Sequence, residues 1–240
     1  YKITPNVSVL IGIAEPTEDK QIPKLFNSIV ILEKGTWRVI ARKQLLPTYD
    51  VFDEKRYFRS SENSSVLNFN HDKKAWKFGI TICEDIWVEE HLHKKRISGN
   101  DPLESLEKKD LDLLINLSAS PFIQSKSILR KRIAAKAAIR LSCPVIYVNQ
   151  VGGNDDLIFD GSSFILTKAG ELQEELPAFK ESITICDINL LNKKKPQSLQ
   201  QQTSQEVLFR ALVLGVKDYA YKCNFNSAIL GLSGGIDSAL

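Results

Sequence analysis

Lys77-Phe78-Gly79-Ile80-Thr81-Ile82-Cys83-Glu84-Asp85-Ile86-Trp87 joins an apolar, β-branched run to a cysteine, two carboxylates and an aromatic ring. The run from Phe78 to Ile82 reads as a buried strand, so Cys83 falls at its carboxyl end. In α/β folds ligands gather at that end of the strands, and a thiol there becomes a nucleophile when a base or cation lowers its effective pKa. The competing reading is a buried structural cysteine, since free Cys is among the most buried residue types. Cys143, Cys186 and Cys223 take that second reading, and their wide spacing, with no CxxC pair, argues against a disulfide framework.

Similar runs recur on both sides of this segment: Val7 to Ile13, Ser28 to Leu32, Arg38 to Arg42, Leu111 to Leu117, Val145 to Asn149, Ser163 to Thr167 and Ser182 to Cys186. Most are expected to be buried strands. Between two of them, Ser125 to Leu141 places Leu129, Ile133, Ala137 and Leu141 on one helical face, with Arg130, Lys131, Arg132, Lys136 and Arg140 on the solvated remainder. Tyr147 to Asn149 and Asp160 to Ser163 suggest strand, loop, strand, and Lys168-Ala169-Gly170 suits a hairpin turn into the next strand. The result is an α/β chain.

Its 240 residues, 43% hydrophobic and 25% charged, supply one large core or two smaller ones. A net charge of +3 is too balanced for a polybasic nucleic-acid binder. No apolar run approaches the roughly 18 residues that a bilayer requires. A small-molecule partner and a cytoplasmic location are therefore expected, with neither nucleic acid nor membrane. His71, His91 and His93 read as charged-loop residues without a metal-binding set. From Asn192 to Gln202 a lysine cluster, Pro196 and a Gln and Ser tract offer nothing to a core, which predicts a domain at 1–190, a linker at 191–202 and a second domain from 203 to 240. Thr203 and Glu206 have capping-box spacing for a helix that presents Leu208, Leu212, Gly215 and Tyr219, and Ser227 to Leu232 reads as a strand after it.

A second segment bears on Cys83. Lys43-Gln44-Leu45-Leu46-Pro47 follows a strand directly, and Phe52-Asp53-Glu54-Lys55-Arg56-Tyr57-Phe58 comes soon after. A lysine fixed at a strand end can stabilise the oxyanion formed when a thiolate attacks an amide. Together with Cys83-Glu84-Asp85, these stretches resemble the nitrilase superfamily of amidases. The resemblance implies an α-β-β-α sandwich and a Glu, Lys and Cys triad, with Lys43 and Cys83 in the latter two roles and Glu54 as a supporting glutamate. It also implies that Tyr49 and Glu54 help to hold the amide substrate, with Ser118 and Ser120 of Asn116-Leu117-Ser118-Ala119-Ser120-Pro121-Phe122 as further contacts. The family's base, a glutamate near the start of the domain, has no counterpart here, because Glu15 comes too late in the order.

Leu230-Gly231-Leu232-Ser233-Gly234-Gly235-Ile236-Asp237-Ser238 carries a different chemistry. Glycines after a strand let backbone N–H groups approach a phosphate, a following helix adds its positive end, and the absent Lys excludes a Walker A loop. The stretch resembles the pyrophosphate loop of ATP pyrophosphatases, which implies ATP binding by Ser233, Gly234, Gly235, Asp237 and Ser238, with Asp237 as the Mg²⁺ ligand. An amidase followed by such a loop resembles the glutamine-dependent NAD synthetase family, as does Phe209 to Tyr219 ahead of the loop. The second domain would then open a doubly wound α/β fold, with glutamine, ATP and deamido-NAD as partners and a homo-oligomer as the assembly. The alternatives are a stand-alone carbon-nitrogen hydrolase and a non-catalytic interaction module. A start at Tyr1, the lack of any Met and a final Ser238-Ala239-Leu240 that opens a helix are the marks expected of a fragment, and such a fragment would be inactive by itself.

Overall fold

The strand that ends at Cys83 lies inside a six-stranded mixed sheet of a computed structural model, which describes residues 7–18, 21–63, 65–71, 74–88, 99–191 and 203–239. Three strands come first: β1 (Val9–Pro16), β2 (Leu25–Glu33) and β3 (Thr36–Arg42) form an antiparallel meander. A one-turn helix α1 (Glu54–Tyr57) follows. Then come β4 (Ser65–His71), β5 (Lys74–Ile82), β6 (Leu113–Ser118), helix α2 (Lys126–Leu141) and β7 (Val145–Asn149). A hairpin of β8 (Val151–Asn154) and β9 (Leu157–Asp160) precedes β10 (Phe164–Leu166) and β11 (Leu172–Glu175). Helix α3 (Ser204–Lys222) and the short α4 (Ile236–Ala239) complete the described elements.

The large sheet runs β11-β10-β7-β6-β5-β4, with β5, β6 and β7 parallel and the outer pairs antiparallel. Its apolar strands have to be covered on both faces. On one face Phe78, Ile80, Ile82 and Leu113 pack against Ile29, Ile31 and Ala41 of the meander. On the other face Leu114, Val145 and Tyr147 meet Ile133, Ala134, Ala137, Ala138 and Leu141 of α2. The layers are thus sheet, sheet and helix, the β-β-α part of the expected sandwich. Among the described residues no helix covers the outer side of the meander, and Val9 and Ile11 are exposed there.

Several expectations are corrected. The first strand begins later, at Val9, and is mostly exposed rather than buried. Ser182 to Cys186 is not a strand: Ile183 and Ile185 are 96% and 93% exposed, and a strand needs a hydrogen-bonded neighbour. Ser227 to Leu232 likewise forms no ladder, and Ile229 is fully exposed. The stretch between Asn149 and Ser163 is a hairpin, not a plain loop. His71 closes β4 and stacks on Phe69 rather than lying in a loop, whereas His91, His93 and the linker residues 192–202 lie outside the described residues. Cys143 is buried as a structural cysteine should be, but Cys186 is only half-buried and Cys223 is exposed.

Helix α2 buries its predicted apolar face, yet its basic side is not wholly solvated. Arg130 is 1% exposed and pairs with buried Asp160. Helix α3 starts as expected, with the Thr203 hydroxyl accepting from Glu206 N at 3.2 Å. It turns an unexpected face inward. Leu208, Leu212 and Tyr219 stay exposed, while Ala211 is buried and Gly215 faces the β8-β9 hairpin. The reason is steric, because a Cβ on Gly153 would stand 3.2 Å from Gly215 Cα, so only small residues allow this approach. Asp218 accepts from Gly153 N at 2.7 Å, and Lys222 donates to Gly153 O. No described helix is long and apolar enough to cross a membrane.

Candidate active site

Because β5, β6 and β7 are parallel and in register, their carboxyl ends deliver Cys83, Ser118 and Asn149 to one edge of the sheet. Just beyond β5 the chain turns sharply at Cys83, whose φ of 49° is rare for a residue with a side chain. Asn116, fully buried, holds that turn by donating to Thr81 Oγ1 at 3.0 Å and to Cys83 O at 3.1 Å. Ser118 Oγ donates in turn to Asn116 Oδ1 at 2.7 Å.

Lys43 arrives from the other sheet. It follows β3, donates its N–H to Asn27 O at 2.8 Å and is anchored by buried Leu45 and Leu46. Its side chain is 1% exposed, and the ammonium donates to both Glu54 oxygens, at 2.6 and 2.7 Å. Burial would depress the Lys43 pKa, but the charges of Cys83 and Glu54 outweigh it and hold the group above its ordinary value. Burial lifts the Cys83 thiol, and the Lys43 ammonium opposes that shift. A cation kept charged beside a buried thiol is suited to stabilising a thiolate and the oxyanion that its attack creates.

A cavity of about 480 Å³ is lined by Tyr49, Trp87, Gln124 and Lys126 among others, and Tyr49 ties it to Glu84, the residue after Cys83. The Tyr49 hydroxyl donates to Glu84, and burial followed by the Glu84 charge raises its pKa. Lys126 stands 5.6 Å from the Phe52 ring centre and 5.8 Å from that of Trp87. Burial lowers the Lys126 pKa, against the pull of Glu84 and Cys83. Ser120 is buried and tied to the end of β7 and to α2. Its N–H donates to Asn149 Oδ1 at 2.9 Å, and its carbonyl accepts from Arg130 at 3.3 Å.

The structure therefore brings Lys43, Tyr49, Glu54, Cys83, Ser118 and Ser120 to one sheet edge. Lys126, Glu84, Asp85, Asn116 and the Arg130 and Asp160 pair escaped sequence reasoning. For Lys126 a signal existed: a lysine in the first turn of a helix opposes the helix dipole and needs a reason. Glu15 is held elsewhere. It accepts from Arg42 Nε at 2.7 Å and Ser28 Oγ at 2.6 Å, and the Arg42 bond holds its pKa low, which makes it a poor base.

The loop of Ser233, Gly234, Gly235, Asp237 and Ser238 is exposed or half-exposed, and among the described residues its side-chain bonds are local. Ser233 N donates to Ser238 Oγ at 3.1 Å, and the two hydroxyls are 2.9 Å apart. Among the described residues no cluster of three metal-binding side chains occurs.

The family described as carbon-nitrogen hydrolase matches residues 4–192, and the family described as NAD synthase matches residues 208–240. A glutamine-dependent NAD(+) synthetase of Synechocystis is 44% identical over 100% of this chain, which spans 43% of that relative. The solved structure of a glutamine-dependent NAD+ synthetase from Acinetobacter baumannii, in complex with adenosine diphosphate, superposes with a TM-score of 0.80. It is 35% identical and covers 97% of this chain and 41% of its own. An amidase of the nitrilase superfamily from Nesterenkonia, 17% identical, shares the fold at a TM-score of 0.52, over 71% of this chain and 57% of its own. With the match to residues 4–192 taking in both Lys43 and Cys83, the chain belongs to the carbon-nitrogen hydrolase family.

Proposed function

We propose that this chain is the glutaminase part, with the opening of the synthetase part, of a glutamine-dependent NAD synthetase. The observation that carries the reading is the buried Lys43 ammonium, paired with Glu54 and electrostatically coupled to Cys83 at the carboxyl edge of the parallel strands. On this reading Cys83 Sγ, as the thiolate, attacks the glutamine side-chain carbonyl while Lys43 stabilises the oxyanion, and the proton the thiol gave up ends on the departing nitrogen as the C–N bond breaks. Ammonia leaves, and water hydrolyses the thioester to release glutamate. Glu54 keeps Lys43 charged and aimed. Tyr49, Lys126, Ser118 and Ser120 hold the rest of glutamine, with the Lys126 cation suited to its carboxylate.

Residues 203–240 then begin the domain in which ATP adenylates deamido-NAD and ammonia displaces AMP. Ser233, Gly234, Gly235 and Ser238 would cradle the pyrophosphate. Asp237, a single exposed carboxylate beside two hydroxyls, fits Mg²⁺, which takes one or two carboxylates and completes its shell with phosphate oxygens and water. Bound there, the ion would neutralise phosphate charge.

The test uses the full-length gene product. Cys83→Ala is expected to abolish glutamine-dependent synthesis and to leave ammonia-dependent synthesis intact. Asp237→Asn is expected to cripple both. If Cys83→Ala removed the two activities together, the two-site reading would fail.

A further inference from the structure

Lys43 and Cys83 follow strands of different sheets, β3 and β5, and among the described residues no ladder joins those strands. Apolar packing brings the two strands together, but it leaves the fine alignment of their ends to directional bonds. The side chain of Asp85, 2% exposed, is placed to supply them. Its Oδ1 accepts from Gln44 N at 3.0 Å and from Leu45 N at 2.9 Å, the two amides that follow Lys43. Its Oδ2 accepts from Ile82 N at 3.0 Å, the amide just before Cys83. One carboxylate thus clamps the segment after the lysine to the turn that bears the thiol.

We infer that Asp85 is a positioning residue for amide hydrolysis, fixing the Lys43 segment against the Cys83 turn so that ammonium and thiol stay face to face. The inference rests on the Cys83 and Lys43 reading above. A local capping role explains only the bond to Ile82 N. The bonds to Gln44 and Leu45 cross 41 and 40 positions of chain and have no capping function. Bonds to a charged acceptor are the stronger class of hydrogen bond, and here all three donors are backbone groups that cannot turn away to another partner. Burial lifts the Asp85 pKa to about 6, opposed by the bonds from Leu45, Ile82 and Gln44 and by the Lys43 charge. The clamp is therefore at full strength only with the carboxylate ionised.

The decisive variant is Asp85→Asn, which keeps the shape but turns an NH₂ toward one of the backbone donors. Two measurements on the full-length gene product separate alignment from mere charge or folding. The first is the rate of iodoacetamide alkylation at Cys83, followed by peptide mapping. Removing a nearby negative charge would favour the thiolate and speed alkylation, whereas losing the Lys43 alignment slows it. We expect slower alkylation, with glutaminase kcat reduced about 10²-fold, as a displacement of about 1 Å does. KM should change far less, and ammonia-dependent synthesis should be kept. Alkylation as fast as in the parent, with normal kcat, overturns the role, as does a raised KM with kcat unchanged. If Asp85→Asn fails to fold, Asp85→Glu decides, since it keeps the charge and both acceptors one methylene out of place. Slowed alkylation in a folded Asp85→Glu protein supports the clamp, and parent rates refute it. Cys83→Ala is the control: hydrolysis surviving in it would sink the nucleophile assignment, whereas a dead Cys83→Ala beside a normal Asp85→Asn sinks only the clamp.

Discussion

Lys43 is 1% exposed and is held by Asn27 of β2 and by Glu54 of α1, while Ser233 to Ser238 are exposed or half-exposed and, among the described residues, bonded to one another. Both stretches carry a recognisable motif, yet they are held in opposite ways. The residues around Cys83 and β7 owe their geometry to partners tens of positions away: Asp85 to Gln44, Arg130 to Asp160, Asn149 to Ser120. The phosphate-type loop owes its geometry to neighbours within five positions. The comparison teaches that a turn can take shape from bonds within five positions, whereas a cluster gathered from several elements needs partners from across the fold.

Arg130→Ala gives the largest expected effect on stability. It strips the partner from buried Asp160 and the donor from Ser120 O, and breaking a buried pair costs about 3 to 5 kcal/mol. Chemical denaturation should record it as a fall in midpoint at constant slope. A loss under about 1 kcal/mol would mean that this buried network is no tighter than a surface pair. Next comes Gly153→Ala, whose new Cβ meets Gly215 Cα at 3.2 Å and has to push α3 outward. Overpacking of this kind costs about 1 to 3 kcal/mol, and faster amide exchange confined to α3 is the expected signature.

A smaller effect belongs to Glu15. Its folded pKa lies below the ordinary 4.5, so its contribution is present above that value and fades as the pH falls through the folded pKa. Arg42 is partly solvated, so the contribution is under about 1 kcal/mol. Glu15→Gln should flatten the acid limb of the stability curve, and identical acid limbs would refute it. The smallest effect is that of Ile229→Ser, at a fully exposed position, which should leave the thermal midpoint of the chain unchanged. A clear drop would show that this region is packed after all and would break the comparison.

The periodicity of Phe78 to Ile82 and of Leu129 to Leu141 made β5 and α2 legible, because buried faces impose an apolar repeat. Lys43 and Cys83 were legible through the company they keep in the chain. Asp85 and Arg130 were not, since a charged residue looks alike whether water or a backbone amide three ångströms away surrounds it. Ser182 to Cys186 and Ser227 to Leu232 have strand composition but no strand, because pairing depends on a partner that composition does not record. The inward face of α3 was misread for a related reason. Its leucines and Tyr219 suggested a seam, while the glycines of the β8-β9 hairpin admit only Ala211 and Gly215.

That glycine-to-glycine seat moves the practical cut point between the two halves. An engineer who wished to transplant this carbon-nitrogen hydrolase domain onto a different partner domain would be tempted to splice at the lysine and glutamine tract. The seat argues for splicing after Lys222 instead, since Gly215, Asp218 and Lys222 are matched to Gly153 and Asn154 as a lock is to one key. A graft that leaves α3 behind would expose two bare glycines and an unpaired backbone amide on the recipient.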